Sequence, residues 1–201
     1  STMTRTAFQT IGRRWSLALA LLGLLCPVLG RANPGEILWT FATDKAITSC
    51  PALGADGTVF IGSDSGLVTA LAPSAGTEKW RYRMIACTNA WVTAGADGVV
   101  YCTGFLGCPM YALDEDTGAP KWRTVFEVTG PPAIGYDGTL YVNAPRMGLI
   151  ALDPATQAWK WQSKETNALA GPPVASSLKS VCFATEDGRF RAVDALSGVA
   201  S

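Results

Sequence analysis

The stretch Ala112 to Trp122, ALDEDTGAPKW, decides the fold, because it returns along the chain at a nearly fixed interval. Ala70 to Trp80 (ALAPSAGTEKW) and Ala151 to Trp161 (ALDPATQAWKW) align with it without gaps. Ala192 to Ser201 (AVDALSGVAS) repeats all but its last position. Each complete copy sets alanine ten residues before tryptophan. With Trp39 at the head, the tryptophans stand at 39, 80, 122 and 161, separated by 41, 42 and 39 residues. Self-similarity at this period marks a repeat architecture.

A second marker keeps the same beat. Asp56-Gly57, Asp97-Gly98 and Asp137-Gly138 each stand between two apolar runs, as in AIGYDGTLYV. Asp-Gly favours a tight hairpin, because both central positions of a type I′ turn need positive φ. The fourth copy has Lys179-Ser180 there and keeps only the flanking runs. Each unit reads as four short strands, and no 3.6-residue pattern persists after the N-terminal segment to suggest helical repeats. Four strands per repeat is the blade of a β-propeller. The expected fold is all-β: four-stranded blades ending near Trp80, Trp122 and Trp161, about four of them, the last without its outer strand.

The combination of ADG-T-V-Y, ALD-x-x-TG and tryptophan resembles the quinoprotein-like (PQQ-type) repeat family, over residues 36–201. The resemblance implies that Trp80, Trp122 and Trp161 pack between blades. It also implies that Asp114, Thr117, Gly118, Asp153, Thr156, Asp194 and Gly198 form the turn of the last hairpin. Ala72 and Gln157 depart from that turn pattern, which predicts looser turns there. Propellers of this family usually have seven or eight blades, so the expectation is an incomplete part of such a ring rather than a closed ring of four. Trp39 is expected on an outermost strand over residues 37–43.

Composition excludes much chemistry. Histidine is absent, which removes imidazole bases, His-bearing triads and His-ligated metals. All 16 acidic residues follow Asn33, as do 12 of the 16 basic ones, and no basic run occurs there. Nucleic acid is therefore an unfavourable partner. The enzymes of the resembling family imply bound PQQ, Ca²⁺ and a disulfide between adjacent cysteines. No Cys-Cys pair exists here, so the reading is a non-catalytic member with no cofactor, metal or catalytic residue. The acids of Asp114-Glu115-Asp116 and Asp64-Ser65-Gly66 read as solvated turn residues, because the spacing of a calcium loop is missing.

Residues 1–32 read as a signal peptide: basic residues through Arg13-Arg14, an apolar run from Trp15 to Leu25, and Gly30 and Ala32 at the small positions of a cleavage site. The run of 11 residues falls short of the roughly 20 that span a bilayer. Cys26 stands where an acylated cysteine would, but Leu25 before it is larger than the usual small residue. Residues 33–201 are then the mature propeller, periplasmic or extracellular, with no stable membrane span after signal removal. Of its five cysteines, Cys102 and Cys108 flank the loop TGFLG and form the first expected disulfide. Cys87 is the competing partner.

The irregular sequence falls on the loops opposite the Asp-Gly and Thr-Gly turns. Phe105, Leu106, Arg146 and Met147 are the candidate protein-binding rim, joined by Asn89-Trp91 and Thr166-Asn167 at blade entrances. The function read from this is a non-enzymatic protein-binding scaffold. It is similar to the propeller of the bacterial outer-membrane protein assembly machinery or to cell-surface PQQ-like proteins. The alternatives are a fragment of a PQQ-dependent dehydrogenase, or a propeller that binds carbohydrate or another small ligand in its central channel.

Overall fold

The computed structural model describes residues 34–200, except 106, 164–170 and 177–178. The leader read at 1–32, Leu106 and Thr166-Asn167 lie outside the described residues. Of the two compact units, Ser1–Glu36 and Ile37–Ser201, the second carries every repeat.

Fifteen strands in the described residues form four antiparallel sheets, each built from consecutive strands. The first sheet holds β1 (Ala52–Leu53), β2 (Val59–Gly62), β3 (Leu67–Leu71) and β4 (Glu78–Arg83). The second holds β5 (Thr88–Ala94), β6 (Val99–Phe105), β7 (Pro109–Asp114) and β8 (Pro120–Glu127). The third holds β9 (Ala133–Ile134), β10 (Leu140–Ala144), β11 (Gly148–Leu152) and β12 (Trp159–Gln162). The fourth holds β13 (Val174–Ala175), β14 (Ser180–Ala184) and β15 (Phe190–Asp194). Beyond β15, Ala200 pairs with Val193 as Pro120 pairs with Leu113, so a fourth outer strand begins in the register of the second sheet.

The ten-residue spacing from alanine to tryptophan is a cross-strand pair. Ala70 lies opposite Trp80, Ala112 opposite Trp122 and Ala151 opposite Trp161, each beside a bulge that absorbs the turn. The aspartate of that turn caps it. Asp114 Oδ1 accepts from the Thr117 amide at 3.0 Å and its hydroxyl at 2.8 Å; Asp153 accepts from the Thr156 amide at 2.9 Å, and Asp194 from the Ser197 amide and hydroxyl at 2.8 Å.

The two faces of each sheet have different tasks. Phe60, Val68, Ala70 and Trp80 of the first sheet pack on Val100, Cys102, Tyr111 and Leu113 of the second. Tyr101, Met110 and Ala112, with Trp122, pack in turn on Leu140, Val142, Ile150 and Leu152 of the third. Tyr141, Leu149 and Ala151, with Trp161, pack on Val181, Phe183 and Val193 of the fourth. Blade-on-blade stacking is thus the core, as in a propeller. On the fourth sheet the forward face is open: Phe190 is 74% exposed, whereas Val68, Met110 and Leu149 at the same repeat position are 0% exposed.

Trp80 and Trp161 reach the turn of the following blade. The Trp80 indole N–H donates to the Glu115 carbonyl at 2.8 Å and that of Trp161 to the Ala195 carbonyl at 2.9 Å. A β-carbon at Gly118 or Gly198 would lie 2.6 Å from the ring seated there. Trp39 behaves alike, donating to the Pro73 carbonyl at 3.0 Å and lying over Gly76. The expected strand over 37–43 is not formed. The indole contact of Trp39 nevertheless repeats that of Trp80 and Trp161.

Two turns use a side-chain-bearing residue where the pattern has glycine. Gln157 holds φ 62° at the place of Gly118, and Lys179, which the sequence pattern sets at the aspartate of its turn, holds φ 64° one position on, at the place of Gly57. The left-handed region costs an L-residue roughly 1–2 kcal/mol, partly offset by glycine's greater freedom in the unfolded chain. Gln157→Gly and Lys179→Gly are each expected to raise stability by about 0.5–1 kcal/mol, read as a higher urea midpoint. A lowered midpoint in both would show that the two side chains hold their turns.

The disulfide pairing differs from expectation. Cys108 bonds to Cys87, with Cα atoms 5.2 Å apart, and Cys102 is a free, fully buried thiol. Register explains the correction. Cys102 lies opposite Tyr111, three residues past Cys108, so the two cysteines flank the loop without facing each other. Cys87 arrives on the crossover from the first sheet.

Candidate functional site

The two rims of the sheets are chemically different. On one, the repeated turns are tied by short polar contacts. Lys79 donates to Asp56 Oδ2 at 3.1 Å and to Thr58 Oγ1 at 2.8 Å, and Lys160 reaches Asp137 Oδ2 at 3.1 Å. The Thr58 amide and hydroxyl, with Lys79, hold the Asp56 carboxyl at about 2. The Thr139 hydroxyl and amide, with Lys160, hold Asp137 at about 2. These acids are stabilised as anions by their own turns, and the same arrangement recurs, which marks them as structural. Asp114 sits likewise below the ordinary range, through the Thr117 hydroxyl and Lys121. Among the described residues, no group of three acidic or cysteine side chains is placed to hold a metal ion.

The opposite rim is irregular and carries the candidate residues. Here the crossover from the first to the second sheet lies across the β2–β3 hairpin. The Met84 amide donates to Gly66 O at 3.0 Å, and the Ala90 amide to Ser63 O at 3.1 Å. Ala86 and Asn89 on this crossover take positive φ, 57° and 51°. Cys87, between them, is bonded to Cys108 on the β6–β7 hairpin. The crossover and the hairpin are therefore one covalently tied unit.

Phe105 ends β6 on that unit, 48% exposed, and meets the Trp91 ring edge-on at 6.4 Å. Arg146 is exposed with φ 66°, at the tip of the β10–β11 hairpin. Met147 beside it is half-buried against the core between the second and third sheets, and its carbonyl accepts from Gln162 Nε2 at 2.7 Å. The hairpins bearing Phe105 and Met147 are joined through one residue. Gly104 pairs with Thr129, and the Thr129 amide donates to the Asn143 carbonyl at 2.9 Å. The structure thus places Phe105 and Arg146 on one rim as exposed side chains, and Met147 there mainly as packing.

Below this rim the approaches to the innermost strands converge on a cavity of about 390 Å³. Cys50, Trp91, Pro131 and Pro172 all line it. Each stands two residues before the first blade-equivalent position of its innermost strand, so one repeat position from four blades meets at one place. Thr129 and Asn143 stand in the same wall, with Thr48 and Ser49. Sequence reasoning singled out Trp91 alone. The available signal was that this repeat position holds Cys, Trp, Pro and Pro while the motif positions around it stay constant.

The stacked four-stranded sheets, the aspartate-capped turns and the tryptophans docked on the following blade define a PQQ-type β-propeller. The chain belongs to the family described as outer membrane protein assembly factor BamB, which matches residues 28–125 and 108–201. It is 32% identical over 117 residues to the outer membrane protein assembly factor BamB of Burkholderia pseudomallei (strain K96243), covering 50% of this chain and 30% of that protein. The crystal structure of BamB from Moraxella catarrhalis superposes with a TM-score of 0.66 at 22% identity, covering 80% of this chain and 50% of that one. The computationally designed Ika4 protein superposes with a TM-score of 0.60 at 15% identity, covering 80% of this chain and 98% of that one. At these identities the two structures show the fold alone. The matched region spans half or less of either natural relative.

Proposed function

We infer that the chain is an exported, non-enzymatic protein-binding scaffold that acts with the apparatus assembling outer membrane proteins. The observation that carries this is the exposed Phe105, held by Trp91 and by a hairpin tied through Cys87–Cys108. An aromatic anchor with little freedom to lose on docking is the usual centre of a protein interface. Export is supported by the basic segment, short apolar run and small residues within 1–32, and by the presence of a disulfide, which suits an oxidising compartment. Family membership supplies the class of partner, since the relatives carry the name of assembly factors.

The test is capture of outer membrane assembly proteins from solubilised envelopes by the tagged chain, before and after Phe105→Asp and Met147→Asp. At least a tenfold loss of capture is expected for Phe105→Asp, the scale (~10-fold or more) of removing an interface anchor. Met147→Asp is expected to weaken capture less. Unchanged capture by both variants, with native circular dichroism, would remove this rim from the interface.

A further inference from the structure

We propose that the cavity at the inner ends of the blades binds a neutral carbohydrate, with Trp91 as its stacking platform and Thr129 as a polar anchor. Trp91 and Phe105 belong to both this proposal and the scaffold reading, whereas Thr129 lies on the cavity wall alone and separates the two.

Convergence is the first observation. Four blades bring the same repeat position, Cys50, Trp91, Pro131 and Pro172, to one cavity of about 390 Å³, within the range of roughly 300–1,000 Å³ typical of small-molecule sites. Rigid residues supply much of this wall: two prolines, and an indole fixed edge-on by Phe105 at 6.4 Å and 63°. The ring is therefore oriented before a ligand arrives, and preorganisation lowers the cost of binding.

Charge decides the ligand class. No lining residue is acidic or basic. A phosphate, a carboxylate sugar or a metal ion would be stripped of water there without a counter-charge, which is strongly unfavourable. Purely apolar ligands are disfavoured for the opposite reason. The wall includes Thr48 and Ser49, whose hydroxyls donate to Asp64 and to the Gly62 carbonyl and keep acceptor capacity, together with Thr129 and Asn143. The Thr129 Oγ1 is buried and has no hydrogen-bond partner among the described residues, although its own backbone is engaged with Gly104 and Asn143. Such a hydroxyl is rare in a folded protein, and a turn of the half-buried Thr129 side chain toward the cavity would let a ligand that both donates and accepts satisfy it. A neutral sugar combines that property with an apolar ring face suited to an indole.

Saturation-transfer NMR and calorimetry on the full chain test this. The probes are neutral oligosaccharides of glucose, galactose and N-acetylglucosamine, with sialylated oligosaccharides and a proline-rich peptide as comparators. Saturable binding of at least one neutral oligosaccharide is expected. Trp91→Ala is expected to weaken it about tenfold or more, by loss of the aromatic platform, and Thr129→Val about fivefold, by loss of one neutral hydrogen bond. Val125→Ala, on the exposed face of the outer strand β8, is expected to leave it unchanged. If Trp91→Ala fails to fold, Trp91→Phe and the near-isosteric Thr129→Val carry the test. No binding of any neutral probe, preference for the sialylated sugar or the peptide, or affinity indifferent to the Trp91 and Thr129 variants would each overturn the proposal.

Discussion

Replacing Trp80 with alanine is expected to lower stability by about 3–5 kcal/mol, the usual cost of deleting a large buried aromatic side chain. Trp80 is 8% exposed, sits 5.6 Å from the Phe60 ring, and donates its indole N–H to the Glu115 carbonyl of the next blade. The variant removes packing on both sides of one interface and leaves a buried carbonyl without its donor, two penalties of the same sign. The control is Trp159→Ala. That residue is 44% exposed on the outer strand β12, so a loss of about 1 kcal/mol, that of its edge contact with Phe126, is expected. Urea titrations followed by far-ultraviolet circular dichroism separate the two. Equal losses would mean that the repeated tryptophan is not the joint between blades.

The second large effect is expected from the disulfide. The chain-entropy estimate for a loop of this size, closed by cysteines 21 residues apart, gives about 3 kcal/mol. The double variant Cys87→Ala, Cys108→Ala should lose roughly that amount at the denaturation midpoint. Cys102→Ala should lose about 1 kcal/mol, the cost of a small buried side chain, and should leave the Cys87–Cys108 bond intact in peptide maps made without reductant. Burial pushes the Cys102 thiol well above its ordinary pKa, so it is a poor nucleophile for exchange with the bond beside it. A map showing Cys102 joined to Cys108 would reverse the assignment. Since Cys87 and Cys108 fasten the crossover beneath Trp91 to the hairpin behind Phe105, the double variant should also loosen that aromatic pair.

Some of the site was legible and some was not, for specific reasons. Phe105 and Arg146 could be placed on the irregular rim because hairpin order fixes which loops share an end. Met147 could not be told from an exposed residue, since its burial depends on how the third sheet leans on the second. The disulfide was misplaced because flanking a loop does not set register. The register puts Cys102 opposite Tyr111, three residues past Cys108, so the two thiols do not meet. Cys50 and Thr129 carry no motif, while Pro131 and Pro172 share a Gly-Pro-Pro at the repeat period that marks a turn rather than a cavity wall.

The sequence by itself determined the blade: Asp-Gly turns, aspartate-capped turns and a tryptophan ten residues after alanine are all set by contacts within one hairpin or between nearest neighbours. Such contacts recur, so they write a period into the chain. Tertiary structure alone decided which cysteines meet and that the approaches to four innermost strands enclose one cavity. Those features depend on how separate sheets stack: the repeat period sets Cys50, Trp91, Pro131 and Pro172 at one position of each blade, and stacking decides that they enclose one cavity.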